Sequence, residues 1–228
     1  MSLFRKKSPT PEEQAFQSAI SEQFERVDDD DDDGEAAAVE PDIVIEDDDD
    51  GVTRIDFGAI KVPGVDGMEL RAELDDQEQV IGVAVMIDDT VLQLQAFAAP
   101  KSERLWDEVR QEIAEGIRGS QGKAREVEGP FGRELHAEVV VVPDDGPQVR
   151  QPVRFIGRDG ERWFLRGVVT GAGAADPSRA EAVESVFDGV RVVRGSHAAP
   201  PRDPLPLTLP DNTPAPSEQD AVDDQSQA

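Results

Sequence analysis

Apolar and polar residues alternate most cleanly at Met68, Leu70, Ala72 and Leu74, with Glu69, Arg71 and Glu73 between them. That period of two marks a strand with one buried face. Pro63-Gly64 and Asp66-Gly67 punctuate the approach. Two further strand-like runs, Val80–Ile87 and Val91–Ala98, flank Asp88-Asp89-Thr90. A turn at Asp88-Asp89 puts Ile81, Val83 and Val85 on one face with Ala96, Leu94 and Leu92. The other face then presents Gly82, Ala84, Met86, Gln93, Gln95 and Phe97. A slip of one residue would exchange the two faces.

Pro100 ends that run, and the spacing changes. Leu105, Trp106, Val109, Ile113 and Ile117 recur at helical intervals, with Ser102 as the expected N-cap and Gly119 as the stop. Trp106 on this stripe reads as core. After the turn-rich Glu128–Gly132, Leu135, Ala137, Val139 and Val141 form one face of a strand over Glu134–Val142, with His136 on the other. Gln151–Thr170, QPVRFIGRDGERWFLRGVVT, then reads as a hairpin. Asp-Gly between apolar runs is a strong signal for a two-residue turn, because both central residues need positive φ. A turn at Asp159-Gly160 pairs Ile156 with Trp163, Arg154 with Leu165, Phe155 with Phe164 and Val153 with Arg166. Both faces carry large apolar groups, which predicts a sheet covered on both sides. Asp176 and Pro177 start a second helix, Ala180, Val183 and Phe187 form its stripe, and Gly189 ends it before a short strand at Val190–Val193.

These elements specify an α+β domain with a mostly antiparallel sheet of about six or seven strands and two packed helices. It spans 52–195, between an acidic segment at 1–51, an extended Pro/Leu strap at 196–210 and a tail at 211–228. Within the first segment, Thr10–Val27 has a weak helical pattern and Ile43-Val44-Ile45 is a short β-prone stretch. Pro201–Pro210, PRDPLPLTLP, favours polyproline II geometry. Its Leu205, Leu207 and Leu209 alternate along one side, either lying on the domain as a strap or serving as a partner-binding peptide.

Charge sharpens this division. Of a net charge of −27, residues 1–51 contribute 4 basic and 18 acidic side chains, 52–195 contribute 18 and 26, and 196–228 contribute 1 and 6. The runs Asp28–Asp33 and Asp47–Asp50 lack the spacing of a calcium loop and read as solvated, disordered interaction tails. A chain this acidic repels nucleic acid and anionic membranes. The absence of cysteine removes disulfides, thiolate metal sites and cysteine nucleophiles. With no membrane span and no apolar stretch after Arg5-Lys6-Lys7, the expected location is the cytoplasm.

Candidate chemistry is sparse. The two histidines, His136 and His197, are isolated, and no catalytic, metal-binding or cofactor motif appears. Gly171-Ala172-Gly173 lies between a strand and a helix, but Asp176 at the helix start opposes a phosphate. The hairpin arginines Arg158, Arg162 and Arg166 read as rim residues making local ion pairs, or as a ligand-facing row. The leading expectation is a non-enzymatic binding or adaptor module contacting an unidentified protein, with Leu205, Leu207 and Leu209 as contact residues. The alternative is a small-ligand binder or enzyme using one sheet face through Gln93, Gln95, Arg162 and Arg166.

LQLQAFAAPKSERLWDEVRQEIAEGI at 92–117, EGPFGRELHAEV at 128–139, QPVRFIGRDGERWFLRGVVTGAGAADP at 151–177 and PRDPLPLTLP at 201–210 together resemble an uncharacterised actinobacterial family, a domain of unknown function. The resemblance spans about 52–210. It implies a cytoplasmic bacterial protein with a variable acidic N-terminus, and it carries over no catalytic residues.

Overall fold

The computed structural model describes residues 37–39, 45–47, 50–75, 79–101, 104–141, 147–196 and 198–210. The expected helix over Thr10–Val27, the run Asp28–Asp33, Ser102, His197 and the segment 211–228 lie outside them. The described strands form two antiparallel sheets. In the larger one the order is β1 (Ala37–Val39), β5 (Glu69–Leu74), β6 (Val80–Ile87), β7 (Thr90–Ala98), β11 (Trp163–Gly171), β10 (Val149–Gly160), β9 (Gly132–Val141) and β8 (Lys123–Gly129). The smaller runs β12 (Arg191–Val192), β4 (Ile60–Pro63), β3 (Thr53–Asp56) and β2 (Ile45–Asp47). The antiparallel sheet with packed helices is as the pattern predicts, and its strands divide between two layers.

The β6–β7 register is the expected one: Val83 faces Leu94, Val85 faces Leu92, and Ile87 faces Thr90 about the Asp88-Asp89 turn, where Asp88 has φ 53°. Ile81 departs from its expected place in the core and is 41 % exposed. Glu73 pairs with Gly82 but Leu74 pairs with Val80, so Ile81 is the extra residue of a bulge.

The β10–β11 hairpin corrects one expectation. Gly160 pairs with Trp163, Asp159 with Phe164 and Ile156 with Gly167, so the turn residues are Glu161 and Arg162, the latter at φ 67°. Gly160 does not supply the positive φ. It makes room for Trp163, whose ring lies where a Cβ on Gly160 would stand, 2.0 Å from Cε2. The turn sits two residues further along than Asp-Gly implies. An even displacement leaves each side chain on its expected face, so Phe155 and Phe164 still share a core.

Both faces of the large sheet are covered. On one, Val83, Val85, Leu92, Leu94, Ile156 and Leu165 pack with Ile55, Phe57 and Ile60 of the small-sheet layer. Val183, Val186 and Phe187 of α3 (Glu181–Gly189) complete that core. On the other face, α1 (Trp106–Gly119) seats Trp106, Ile113 and Ile117 against Leu135, Val139, Phe155 and Phe164. The second helical region begins with a short α2 (Ala172–Ala175) and a 3-10 turn at Pro177–Arg179, capped by Asp176 as expected: its side chain accepts from the Ser178 N–H at 3.0 Å. β8 has no counterpart in the sequence reading. It is an edge strand whose residues are exposed or half-buried, so its apolar alternation is weak.

The Pro/Leu segment docks on its own domain. Leu205 and Leu207 are 3 % and 9 % exposed and belong to the core between the sheets. The Leu205 N–H donates to Ala96 O at 2.8 Å, the Arg202 N–H to Ala98 O at 2.7 Å, and the Thr208 N–H to Phe57 O at 3.1 Å. These bonds extend pairing along β7 beyond the reach of β6 and tie the large sheet to the small-sheet layer.

Candidate functional site

A cleft of about 480 Å³ opens where the β10–β11 tip, the β8–β9 turn and the start of α1 meet. Its form follows from two close contacts. Gly157 lies beneath the Trp106 ring, and a Cβ there would stand 2.3 Å from Cδ2, so only glycine lets helix and strand approach this closely. Asp159 accepts from the Leu105 N–H at 2.8 Å and the Trp106 N–H at 3.2 Å. The helix therefore takes its cap from a strand more than fifty residues later, while its own N-cap position, Leu105, gives no side-chain bond. The Trp106 indole N–H donates to Arg133 O at 2.6 Å, and its ring stacks with Phe164 at 5.8 Å. Trp106 is core, as expected, and also one wall of the cleft.

The cleft is lined by Arg104, Arg110, Arg133 and Arg158, with Asp107, Glu128 and Asp159 among them. Arg110 is buried, its guanidinium 5.7 Å from the Trp106 ring centre. Arg158 donates to Asp188 O at 3.1 Å and Val190 O at 2.7 Å, and lies near the Trp163 and Phe187 rings. Burial lowers the pKa of Arg158, partly opposed by Asp188.

A second polar cluster is buried on the opposite sheet face. Arg154, 1 % exposed, donates to both Glu134 oxygens at 3.1 and 3.0 Å and to Glu184 Oε1 at 2.6 Å. His136 Nε2 lies 2.6 Å from Glu134 Oε1, so this histidine is satisfied within the domain. Facing acceptors neutralise the buried arginine, which suits a structural tie between β9, β10 and α3.

Of Gln93, Gln95, Arg162 and Arg166, the structure brings Gln95 and Arg166 into contact. Gln95 pairs across strands with Arg166, whose Nη2 donates to Gln95 Oε1, and the Gln95 amide donates to Ile81 O at 3.3 Å. Arg166 is not a rim residue: it is 6 % exposed and stacks at 5.3 Å over Phe97, with burial lowering its pKa to about 10 against the opposing pull of Glu73. Gln93 is also buried. Arg162 is apart from them in the exposed turn, where its carbonyl accepts from Ala99 N and Arg194 Nε. Of the leucines, Leu205 and Leu207 fill the chain's own core, which leaves Leu209, 49 % exposed, as the one facing outward.

Sequence reasoning did not find Arg110, Arg133, Arg154 or Glu134 as site residues. An arginine inside an α1 rich in charge has no pattern that separates a buried guanidinium from a solvated one. Glu134, at the edge of the expected strand, was legible only as a strand residue.

Among the described residues no helix is long and apolar enough to cross a membrane, and no group of three or more potential metal ligands is present. A family model described as a protein of unknown function, DUF3710, matches residues 41–215. No curated protein and no solved structure matches the chain.

Proposed function

The chain belongs to the DUF3710 family of proteins of unknown function, and from that starting point we propose that it works as a non-enzymatic binding or adaptor module, through protein–protein contacts in the cytoplasm. The observation that carries the reading is where the acidic segments join the core. Asp50, the last residue of the run Asp47–Asp50, is held by Arg54 Nη1 at 2.9 Å and Nη2 at 2.8 Å and by Arg191 at 2.7 Å. Arg54 is itself buried and donates to Gly189 O. At the other end the strap is tied through Thr208 to Phe57, next to β3. Asp50 and Thr208, near the two ends of the described core, thus both lie at the small-sheet layer. Acidic stretches flanking a packed core in sequence suit a partner with a basic surface, steered by long-range attraction.

The alternative of a ligand or reaction on the Gln93/Gln95 face has less support. Gln95 uses its carbonyl on Arg166 and its amide on Ile81.

The test is affinity capture from the native cell lysate with the full chain and with a variant retaining only 50–210, which keeps Asp50 and the docked strap. The full chain is expected to retain a partner that elutes at moderate salt, and the trimmed core to lose it. Recovery of the same partner, with the same salt dependence, by both proteins overturns the proposal.

A further inference from the structure

We propose that the cleft at the hairpin tip binds a small carboxylate-bearing ligand, anchored by Arg110. Four arginines of the core are buried to 6 % exposure or less: Arg54, Arg110, Arg154 and Arg166. Three are bonded to acceptors of the chain itself, Arg54 to Asp50 and Gly189, Arg154 to Glu134 and Glu184, and Arg166 to Gln95. Arg110 differs. Its Nε and Nη1 are both buried without a hydrogen-bond acceptor among the described residues, whereas Arg154 and Arg166 each lack one at Nε alone. Asp107 Oδ1 is 2.7 Å from Nη1 but out of line with its N–H bonds, and Glu126 Oε1 is 3.6 Å from Nε. Buried donors without acceptors are costly, and a carboxylate is the planar, two-oxygen group that satisfies a guanidinium best.

The surroundings choose among anions. Arg104, Arg133 and Arg158 add further cations at the border, but Asp107, Glu128 and Asp159 border the same space. A phosphate dianion would face three carboxylates there. A monocarboxylate carrying its own N–H or O–H donors meets Arg110 with its charge and the acids with its donors. The Trp106 ring supplies an apolar wall, and about 480 Å³ matches a molecule between an amino acid and a short peptide. The common chemistry is a carboxylate next to hydrogen-bond donors, found in a free amino acid or at the C-terminal end of a polypeptide. The site is independent of the acidic segments, so it stands or falls separately from the adaptor reading.

Trp106 and Trp163 are the only tryptophans, so two indole N–H signals report on the test by NMR, Trp163→Phe assigning them. The full chain is titrated with pooled N-acetylated tripeptides bearing a free carboxylate, the same pool amidated, free amino acids, and inorganic phosphate. The Trp106 signal is expected to move saturably with a carboxylate ligand, and amidation or Arg110→Gln to weaken binding about tenfold or more. Response to the tripeptides alone identifies a chain end, and response to amino acids alone a free metabolite. If Arg110→Gln fails to fold, Arg133→Gln, at an exposed position, is expected to weaken binding at least about threefold. The proposal is overturned by no saturable shift with any carboxylate, by phosphate binding as well as they do, or by unchanged affinity in a folded variant.

Discussion

Replacing Leu205 by Ala tests whether the strap is part of the folding unit. Leu205 is 3 % exposed, lies in the core shared by the large sheet and the small-sheet layer, and is held by its N–H to Ala96 O. Alanine preserves that backbone bond, so the change isolates the side chain. Deleting a buried leucine side chain costs about 2–5 kcal/mol, depending on how far the site collapses. The strap is an extended segment joined by isolated bridges rather than a full ladder, which favours collapse and places the expectation at about 2–3 kcal/mol. For a domain of this size that is a melting-temperature decrease of roughly 4–12 °C. Leu209→Ala is the internal control: at 49 % exposure it changes stability by no more than about 0.5 kcal/mol. The assay is urea unfolding of both variants at one pH, comparing midpoints and slopes. If Leu205→Ala falls within about 0.5 kcal/mol of the unmodified chain, as a solvated peptide would, the strap is not seated and its leucines return to being candidates for a partner.

Glu134→Ala removes the two-oxygen acceptor of Arg154 inside the domain while Glu184 still neutralises it, and is expected to cost about 1–3 kcal/mol, measured by chemical denaturation. Replacing Glu134, Arg154 and Glu184 together by apolar residues of similar size is expected to cost less than that single change. Gly157→Ala drives a Cβ to within 2.3 Å of the Trp106 ring, so the expected outcome is displacement of the start of α1, read as lost hydrogen-exchange protection there and a lower melting temperature. Asp50 titrates well below the usual carboxylate range, chiefly through the Arg54 bond and then those from Arg191 and the Val52 N–H. A depressed folded-state pKa adds stability above the unfolded value near 3.8 and loses it as pH falls below. Asp50→Asn is expected to lower stability at pH 7 and flatten the acid limb, checked by unfolding between pH 7 and 3.

Strands buried on one side were legible because their period is two, and β5, β7 and β9 show this. The Asp88-Asp89 register follows the alternation that puts Val83, Val85, Leu92 and Leu94 on one wholly apolar face. The hairpin tip misled for a definite reason. Asp159 and Gly160 are the residues a tight turn favours, yet here one caps a helix and the other makes space for an indole, both tertiary demands invisible in a local window. β8 escaped because its exposed edge carries charge where a covered strand would carry valine. The cleft was least legible of all. Its arginines are scattered over α1, β9, β10 and the loop before α1, and nothing in their spacing marks Arg110 as buried without an acceptor.

The cap that Asp159 gives to α1 also sets an order of events. The fourteen residues Trp106–Gly119 leave the ribosome well before Asp159, and an isolated helix of that length is marginal in water. Its first N–H groups find their acceptor only when β10 has been made and has paired with its neighbours. Newly made α1 therefore frays at its amino end until the hairpin forms, and the tip of that hairpin sets where the helix starts. Pulse-labelled hydrogen exchange during refolding would show Leu105 and Trp106 gaining protection together with β10 and β11, later than the centre of their own helix.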